Sequence, residues 1–443
     1  MNAPTRFRID AAAIVTVNES NDILLQHSIV IEAGVITAIT PTEDAPELST
    51  DCICDLSDQI LMPGLINAHG HAAMSLFRGI ANDLPLQNWL EEHVWPAEAQ
   101  WVGEDFVESG TRLAVAEMLT NGTTTFSDMY FFPEVAAKVV NETGIRAQLC
   151  GPILDFPTIW GAGSDEYIEK TLTLFKQYED HPHISIAFGP HAPYTVSDEP
   201  LVKIEKLSKQ YGVAVQMHVH ETQSEVDLAI ENDNRRPVER LSALGLLAEP
   251  SRFQAVHMTA IDQSDIETIA SASAHIIHCP ESNMKLASGF CPTPKLLAAG
   301  VNVALGTDGA ASNNDLDMFG EMRTAALIAK GYFEDASAIS APDALRMATI
   351  NGAKALGLDD QIGSLEPGKQ ADLIAVNMNK FNSLPSHDLL AGLVYNTQSS
   401  QVTHTWVAGQ LLLDCGRLKT IDAEAVVKDS KQWAEKIQSE QSK

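Results

Sequence analysis

From residue 61 the chain reads Leu61-Met62-Pro63-Gly64-Leu65-Ile66-Asn67-Ala68-His69-Gly70-His71, an apolar run that ends in two histidines one residue apart. A short continuous apolar run of this kind suits a strand buried on both faces, and the exit of such a strand is where an α/β barrel gathers its reacting groups. Seven further runs follow, at 123–128, 147–153, 184–189, 214–218, 253–257, 275–278 and 302–306. Helical patterns separate them; those at 105–121, 134–142 and 200–210 stop just before Gly122, Gly144 and Gly212, where glycine can take the left-handed conformation past the last turn. The expected fold is therefore α/β, a (β/α)8 TIM-like barrel over residues 61–364.

The two ends of the chain read differently. Residues 1–60 and 365–420 hold short alternating segments, neither of which makes a sizeable core alone, so one small β-sandwich domain built from both ends is expected beside the barrel. Residues 421–443 carry Val426, Val427, Trp433 and Ile437 among charges and read as a surface helix.

Composition narrows the class. The chain has 443 residues, 45% hydrophobic and 20% charged, enough for a large core. Lys+Arg 29 against Asp+Glu 59 gives a net charge of −30, which repels phosphate backbones and anionic membranes, so nucleic acid and membrane partners are not expected. The N-terminus is polar, without the apolar stretch of an export signal, and the six cysteines form no Cys-x-x-Cys pair. The chain reads as cytoplasmic, with reduced thiols.

The chemistry sits at the strand exits. Strand one runs into His69 and His71, strand two ends at Asp128, and strand four runs into His191. Strand five ends in His218-Val219-His220-Glu221, strand six at His257, strand seven in His278-Cys279-Pro280-Glu281-Ser282-Asn283, and strand eight at Thr307-Asp308-Gly309. An extended His-x-His directs both rings to one side, which suits two imidazoles on one metal ion. A third imidazole from strand five and a carboxylate from strand eight would complete a nitrogen and oxygen set with a position left for water. Such an ion lowers the pKa of a bound water to about 7, so no Ser or Cys nucleophile is needed. Glu221 is placed to move a proton between that water and a substrate, although an acid at a helix start is also favoured by the macrodipole. Asp308 would ligate the ion and accept the first proton, against the plainer reading of an Asp-Gly turn, and His257 would steady developing charge, against that of a satisfied buried imidazole.

The 61–71 run, His218-x-x-Glu221, His257, His278-Cys279-Pro280-x-Ser282-Asn283, Thr307-Asp308-Gly309 and Gly368-Lys369-Gln370-Ala371-Asp372-Leu373 together resemble the amidohydrolase superfamily. Within it, Met74-Ser75-Leu76-Phe77-Arg78-Gly79, Asp83-Leu84-Pro85-Leu86-x-x-Trp89-Leu90 and Trp95-Pro96-x-Glu98 are similar to the 5′-methylthioadenosine and S-adenosylhomocysteine deaminases. The resemblance implies that His69, His71, His218 and Asp308 bind one divalent metal, zinc being expected, with His257 beside it. It implies that Glu98, His191 and Glu221 contact the substrate, that Trp89 flanks the purine, and that Ser282, Asn283 and Ser312 stand on the pocket wall. His220 is not a ligand in this pattern and is read as a supporting residue. A homo-oligomer, dimer or tetramer, is implied as well. Strand four lacks the lysine that a two-metal site would use as a bridge, so one ion is expected, and the Pro-Cys-x-x-Cys signature of the other zinc deaminases is absent.

The expected reaction is hydrolytic deamination of an adenine ring in a small nucleoside. Asp308 takes a proton from water, Glu221 delivers one to ring N1, and His257 supports the charge. Glu98 would hold ribose hydroxyls, since a carboxylate only accepts. Residues 147–169 contain no Lys or Arg to clamp the carboxylate of S-adenosylhomocysteine, so the neutral nucleosides are expected to be preferred unless Arg78 or Arg146 reaches the pocket. The alternatives are a deaminase or dechlorinase of another ring, guanine or an s-triazine, and a catalytically silent scaffold.

Overall fold

The computed structural model describes residues 6–248 and 252–441. The strands are β1 (Arg6–Val15), β2 (Ile23–Glu32), β3 (Val35–Pro41), β4 (Ile53–Pro63), β5 (Leu65–Gly70), β6 (Thr123–Met129), β7 (Arg146–Ile153) and β8 (Ile184–Pro190). They continue with β9 (Val215–Val219), β10 (Phe253–His257), β11 (His275–His278), β12 (Asn302–Leu305), β13 (Leu373–Val376), β14 (Val402–Val407), β15 (Gln410–Asp414) and β16 (Arg417–Leu418).

β5 to β12 pair in sequence order as one parallel eight-stranded sheet. Its two edges meet where the Asp308 N–H donates to His69 O (3.1 Å), so the barrel closes between the first and last strands. That closure needs a residue without a side chain at position 306, where a Cβ would lie 2.8 Å from the backbone N and O of His69. The expected barrel is present, and all eight runs read from the sequence are its strands.

One boundary moved. Residues 61–63, read as the start of the first barrel strand, belong to β4 in the other sheet, and the chain crosses between sheets at Gly64. A Cβ there would fall 2.2 Å from the Thr124 side chain, so only glycine lets the chain turn against β6.

The ends of the chain form the second sheet, in the order β16-β15-β14-β13-β4-β1-β2-β3. Its hydrogen bonds run without a break, because β4 takes β1 on one side in parallel and β13 on the other in antiparallel. Strand alternation gives it two apolar faces. Ile9, Ile29, Leu61, Leu373 and Trp406 fill its own core. Ala13, Ile60, Met62, Ile374 and Val376 join the core shared with the barrel. The C-terminal helix, Ala423–Gln441, sets Trp433 edge-on to Phe106 at 5.4 Å and buries Ile437 in the same cluster as Trp89.

A buried ion pair fastens the small sheet to the barrel. Arg146, at the start of β7, meets Asp372 through Nε (3.1 Å) and Nη2 (3.2 Å), and also donates to Pro182 O and Gln370 Oε1. Asp372 further accepts the Ala408 N–H at 2.7 Å. Both side chains are almost fully buried, so Arg146→Ala leaves an unpaired carboxylate and is expected to cost about 3–5 kcal/mol. A fall in Tm with little change in the KM of the folded fraction would bear this out; an unchanged denaturation midpoint would show that the pair is dispensable.

Candidate active site

At the C-terminal mouth of the barrel lies a cavity of about 260 Å3. It is lined by His71, Trp89, Glu98, His191, His218, Glu221, His257 and Asp308, with an apolar outer wall that includes Leu86, Leu90, Phe131, Phe156 and Ile159. Seven strands, β5 to β10 and β12, send their exits to this cavity. Several of those exits bend sharply: His257 has φ 75° and Asp308 φ 60°, left-handed backbone that costs about 1–3 kcal/mol per residue and is typical of functional sites.

His69, His71, His218 and Asp308 each offer one donor atom, and the four atoms lie within 4.8 Å of one another. The hydrogen bonds on the far side of each ring decide what those atoms are. His69 Nδ1 donates to Gln216 Oε1 (2.8 Å), His71 Nδ1 to Met129 O (2.7 Å) and His218 Nδ1 to His191 O (2.8 Å). All three acceptors are carbonyl oxygens, so every Nδ1 carries a proton and, in the neutral ring, each Nε2 presents a lone pair inward. His69 Nε2 and His218 Nε2 then face each other at 3.1 Å with no proton to share, and Asp308 Oδ1 stands 3.1 Å from His71 Nε2 and 3.5 Å from His69 Nε2. Lone pairs converging in this way repel unless a cation lies among them, and three nitrogens with one oxygen suit a divalent ion with a position left open.

Asp308 is held from behind. Ser282 Oγ donates to its Oδ2 at 2.6 Å, and Ser312 Oγ is 3.0 Å from the same oxygen. Neither serine lines the cavity. The expectation that they stand on its wall gives way to a different placement, because both hydroxyls are drawn to the carboxylate oxygen that faces away from the imidazoles.

His257 differs from the three converging rings. Asn283 Nδ2 donates to its Nδ1 at 2.9 Å, so its proton is on Nε2, which points at Glu221 Oε2 (3.6 Å). Its ring therefore offers a donor where the others offer lone pairs. Burial lowers its pKa to about 3, which keeps it neutral. Burial likewise pulls His191 down to about 4.

Glu221 is buried beside His257, and burial, followed by the charges of Asp308 and Glu225, pushes its pKa well above the ordinary carboxylate range. That shift favours its protonated form. Glu225 fixes its position by accepting the backbone N–H of His220 (3.0 Å) and of Glu221 (2.8 Å). Glu98, on the helix Trp95–Trp101, also lines the cavity, and burial raises its pKa to about 7. Trp89 both lines the cavity and packs in the cluster with Phe77, so its two readings coexist.

His220 turns away. β9 ends at Val219 and His220 takes φ 53°, which breaks the two-residue alternation, so its ring bonds Ala260 O (2.9 Å) and accepts the Val238 N–H (3.2 Å). Two residues escaped the reading of the sequence: Gln216 and Glu225. Gln216 stands two before His218 and so faces the barrel interior like it, which was a usable signal. Glu225 gave none, since its role depends on a helix start folding back over the strand exit.

Fold and donor set define a barrel metalloenzyme with a single-ion site at its mouth. The profile of the Amidohydrolase family matches residues 60–412, and the chain belongs to that family. It is 49% identical over 432 residues to a 5-methylthioadenosine/S-adenosylhomocysteine deaminase of Teredinibacter turnerae, covering 97% of each chain. Among solved structures, an adenosine deaminase from Xanthomonas campestris with bound zinc superposes with a TM-score of 0.96 at 45% identity, covering 98% of both chains. Atrazine chlorohydrolase from Arthrobacter aurescens TC1 has a TM-score of 0.91 at 24% identity over 97% of this chain and all of its own, a likeness of fold alone. Among the described residues no helix is long and apolar enough to cross a membrane.

Proposed function

We propose that the protein is a zinc-dependent deaminase of adenine nucleosides, converting 5′-methylthioadenosine or adenosine to the inosine analogue and ammonia. The observation that carries this reading is the arrangement of donors and acceptors in the cavity: three imidazole nitrogens and a carboxylate converge on one point, with buried Glu221 and the His257 N–H beside them. The names of the full-length relatives favour an adenine nucleoside over guanine or an s-triazine.

His69, His71, His218 and Asp308 would hold the ion, which when bound polarises a water and brings its pKa toward neutral. Ser282 and Ser312 hold Asp308 Oδ2, which turns Oδ1 toward the converging nitrogens, where it would face both the ion and the water whose proton it accepts. Glu221, carrying its proton, donates to ring N1, which makes C6 electrophilic. His257 Nε2–H supports the negative charge that develops as the oxygen adds. The amino group leaves as ammonia once the proton held by Asp308 has passed to it, and the proton of the added hydroxyl returns to Glu221 as the C6 carbonyl forms. Trp89 offers an aromatic face to the purine, Glu98 accepts from the ribose hydroxyls and His191 closes the same wall.

The outer wall bears on the choice of nucleoside. Among the described residues no Lys or Arg lines the cavity. Arg146 is spent on Asp372 at the other end of β7, and Arg78 bonds Glu117 and Asn314 O outside the cavity. With an apolar wall and no cation, a methylthio group is accommodated and an amino-acid carboxylate is left without a partner. Loss of a charge-assisted pair is worth about 1.5–3 kcal/mol, so kcat/KM for S-adenosylhomocysteine is expected to be at least about tenfold below that for 5′-methylthioadenosine. Ammonia release from the three nucleosides, with and without a chelator, tests the whole reading. A preference for the homocysteine form would overturn the specificity, and release that survives metal removal would overturn the chemistry.

The division into a barrel of residues 61–364, a small domain of 1–60 with 365–420 and a terminal helix is supported by the two separate sheets, with residues 61–63 falling in the small one. A cytoplasmic location accords with six unbonded cysteines, and a homo-oligomer is the assembly that the family resemblance implies; light scattering tests it.

A further inference from the structure

A second group of metal-type ligands lies in the small sheet, away from the barrel mouth. His404 comes from β14, Asp414 from the end of β15 and Cys415 from the turn into β16, and their donor atoms lie within 4.8 Å of one another. His404 Nε2 is 3.5 Å from Cys415 Sγ and 3.6 Å from Asp414 Oδ1.

The proton on His404 is assigned by its neighbours. Thr403 Oγ1 donates to Gln59 Oε1 at 2.5 Å, which uses the hydroxyl proton, so at 2.8 Å from His404 Nδ1 the same oxygen accepts. Nδ1 is thus protonated and Nε2 presents a lone pair to the thiol and the carboxylate. This is the arrangement by which a metal-binding histidine is oriented, its far nitrogen donating to an outer partner. The ring plane is fixed by stacking on Trp406, with centroids 5.4 Å apart and planes 13° from parallel.

The spacing also fits. With bond lengths of about 2.0–2.1 Å to nitrogen or oxygen and about 2.3 Å to sulfur, a tetrahedral zinc ion holds N and S about 3.5 Å apart and N and O about 3.4 Å apart. Asp414 reserves its other oxygen, Oδ2, for Lys419 Nζ at 3.1 Å, leaving Oδ1 to face the histidine. The turn is pinned to β14 by the Gly416 N–H donating to Thr403 O (2.9 Å). Cys415 is exposed, so an ion can reach the site from solvent.

We propose that His404 Nε2, Asp414 Oδ1 and Cys415 Sγ form a second divalent-cation site of zinc type, with a fourth position open to water, which clips the β15–β16 turn onto the small sheet. Binding replaces the thiol proton, which passes to solvent, and changes no oxidation state.

The four donors of the barrel site include no sulfur, so a cobalt–thiolate charge-transfer band reports on this second site alone. Full-length protein kept reduced, loaded with Zn2+ or Co2+ and freed of unbound metal, is compared with Cys415→Ser. Two ions per chain in the parent and one in the variant, a near-ultraviolet thiolate band only in the parent, and equal deaminase activity in both are the expected results. One ion per chain in both proteins, a second ion that survives Cys415→Ser, or a second ion without the thiolate band would each overturn the assignment. Ammonia release enters only as a control, so the outcome is independent of the barrel reading.

Discussion

Glu221→Gln is expected to lower kcat for adenosine and 5′-methylthioadenosine by about 10²- to 10⁴-fold, the range that a positioned general acid or base contributes, while metal content stays at the parental level. The amide matches the carboxyl in shape, and the two N–H bonds that fix the turn arrive on Glu225 rather than on Glu221 itself, so the turn survives. What is lost is a transferable proton. In the parent, burial favours the protonated form of that acid, and the His257 N–H faces its Oε2. Binding contacts to the nucleoside are retained, so KM should move far less than kcat. Steady-state kinetics with elemental analysis on the same sample decides the matter, and undiminished turnover would mean that N1 receives its proton from elsewhere.

Asp308→Asn should be at least as damaging, for two reasons that separate experimentally. The substitution removes the only negative charge among the four converging donors, so metal affinity should fall by more than the about 10- to 100-fold that loss of an outer partner costs. It also removes the group that accepts the first proton, so turnover should stay about 10²- to 10⁴-fold down even when excess Zn2+ refills the site. The variant should fold, because the Asp308 N–H to His69 O bond that closes the barrel is made by backbone. Metal titration followed by ammonia release at saturating Zn2+ measures the two losses in turn. Full recovery at high Zn2+ would restrict Asp308 to holding the ion and assign the proton transfer to another group.

The barrel and the four converging donors were legible before any coordinates because both follow from local pattern. Apolar runs of strand length separated by helical periods leave few other ways to bury eight strands, and a parallel barrel puts all their exits on one face. Counting the strands brings His69, His71, Asp308 and an imidazole from the fifth strand to one face, and the family resemblance chose His218 over His220 for that imidazole. The small domain was legible for the same reason, as two β-rich ends that each lacked a core.

Tertiary structure decided everything that depends on which way a polar group points. The letter His is the same at 69, 218, 220 and 257, yet Gln216 and His191 O make two of those rings inward lone pairs, Asn283 makes His257 an inward donor, and a left-handed residue at the end of β9 turns His220 outward. Ser282 and Ser312 came to rest on Asp308 instead of the pocket wall, and the crossing between sheets fell at Gly64, because those choices are made by contacts that form only in the folded chain. Periodicity along the chain carries burial and strand direction, whereas proton placement is set by hydrogen bonds across the fold, which exist only once the barrel has closed.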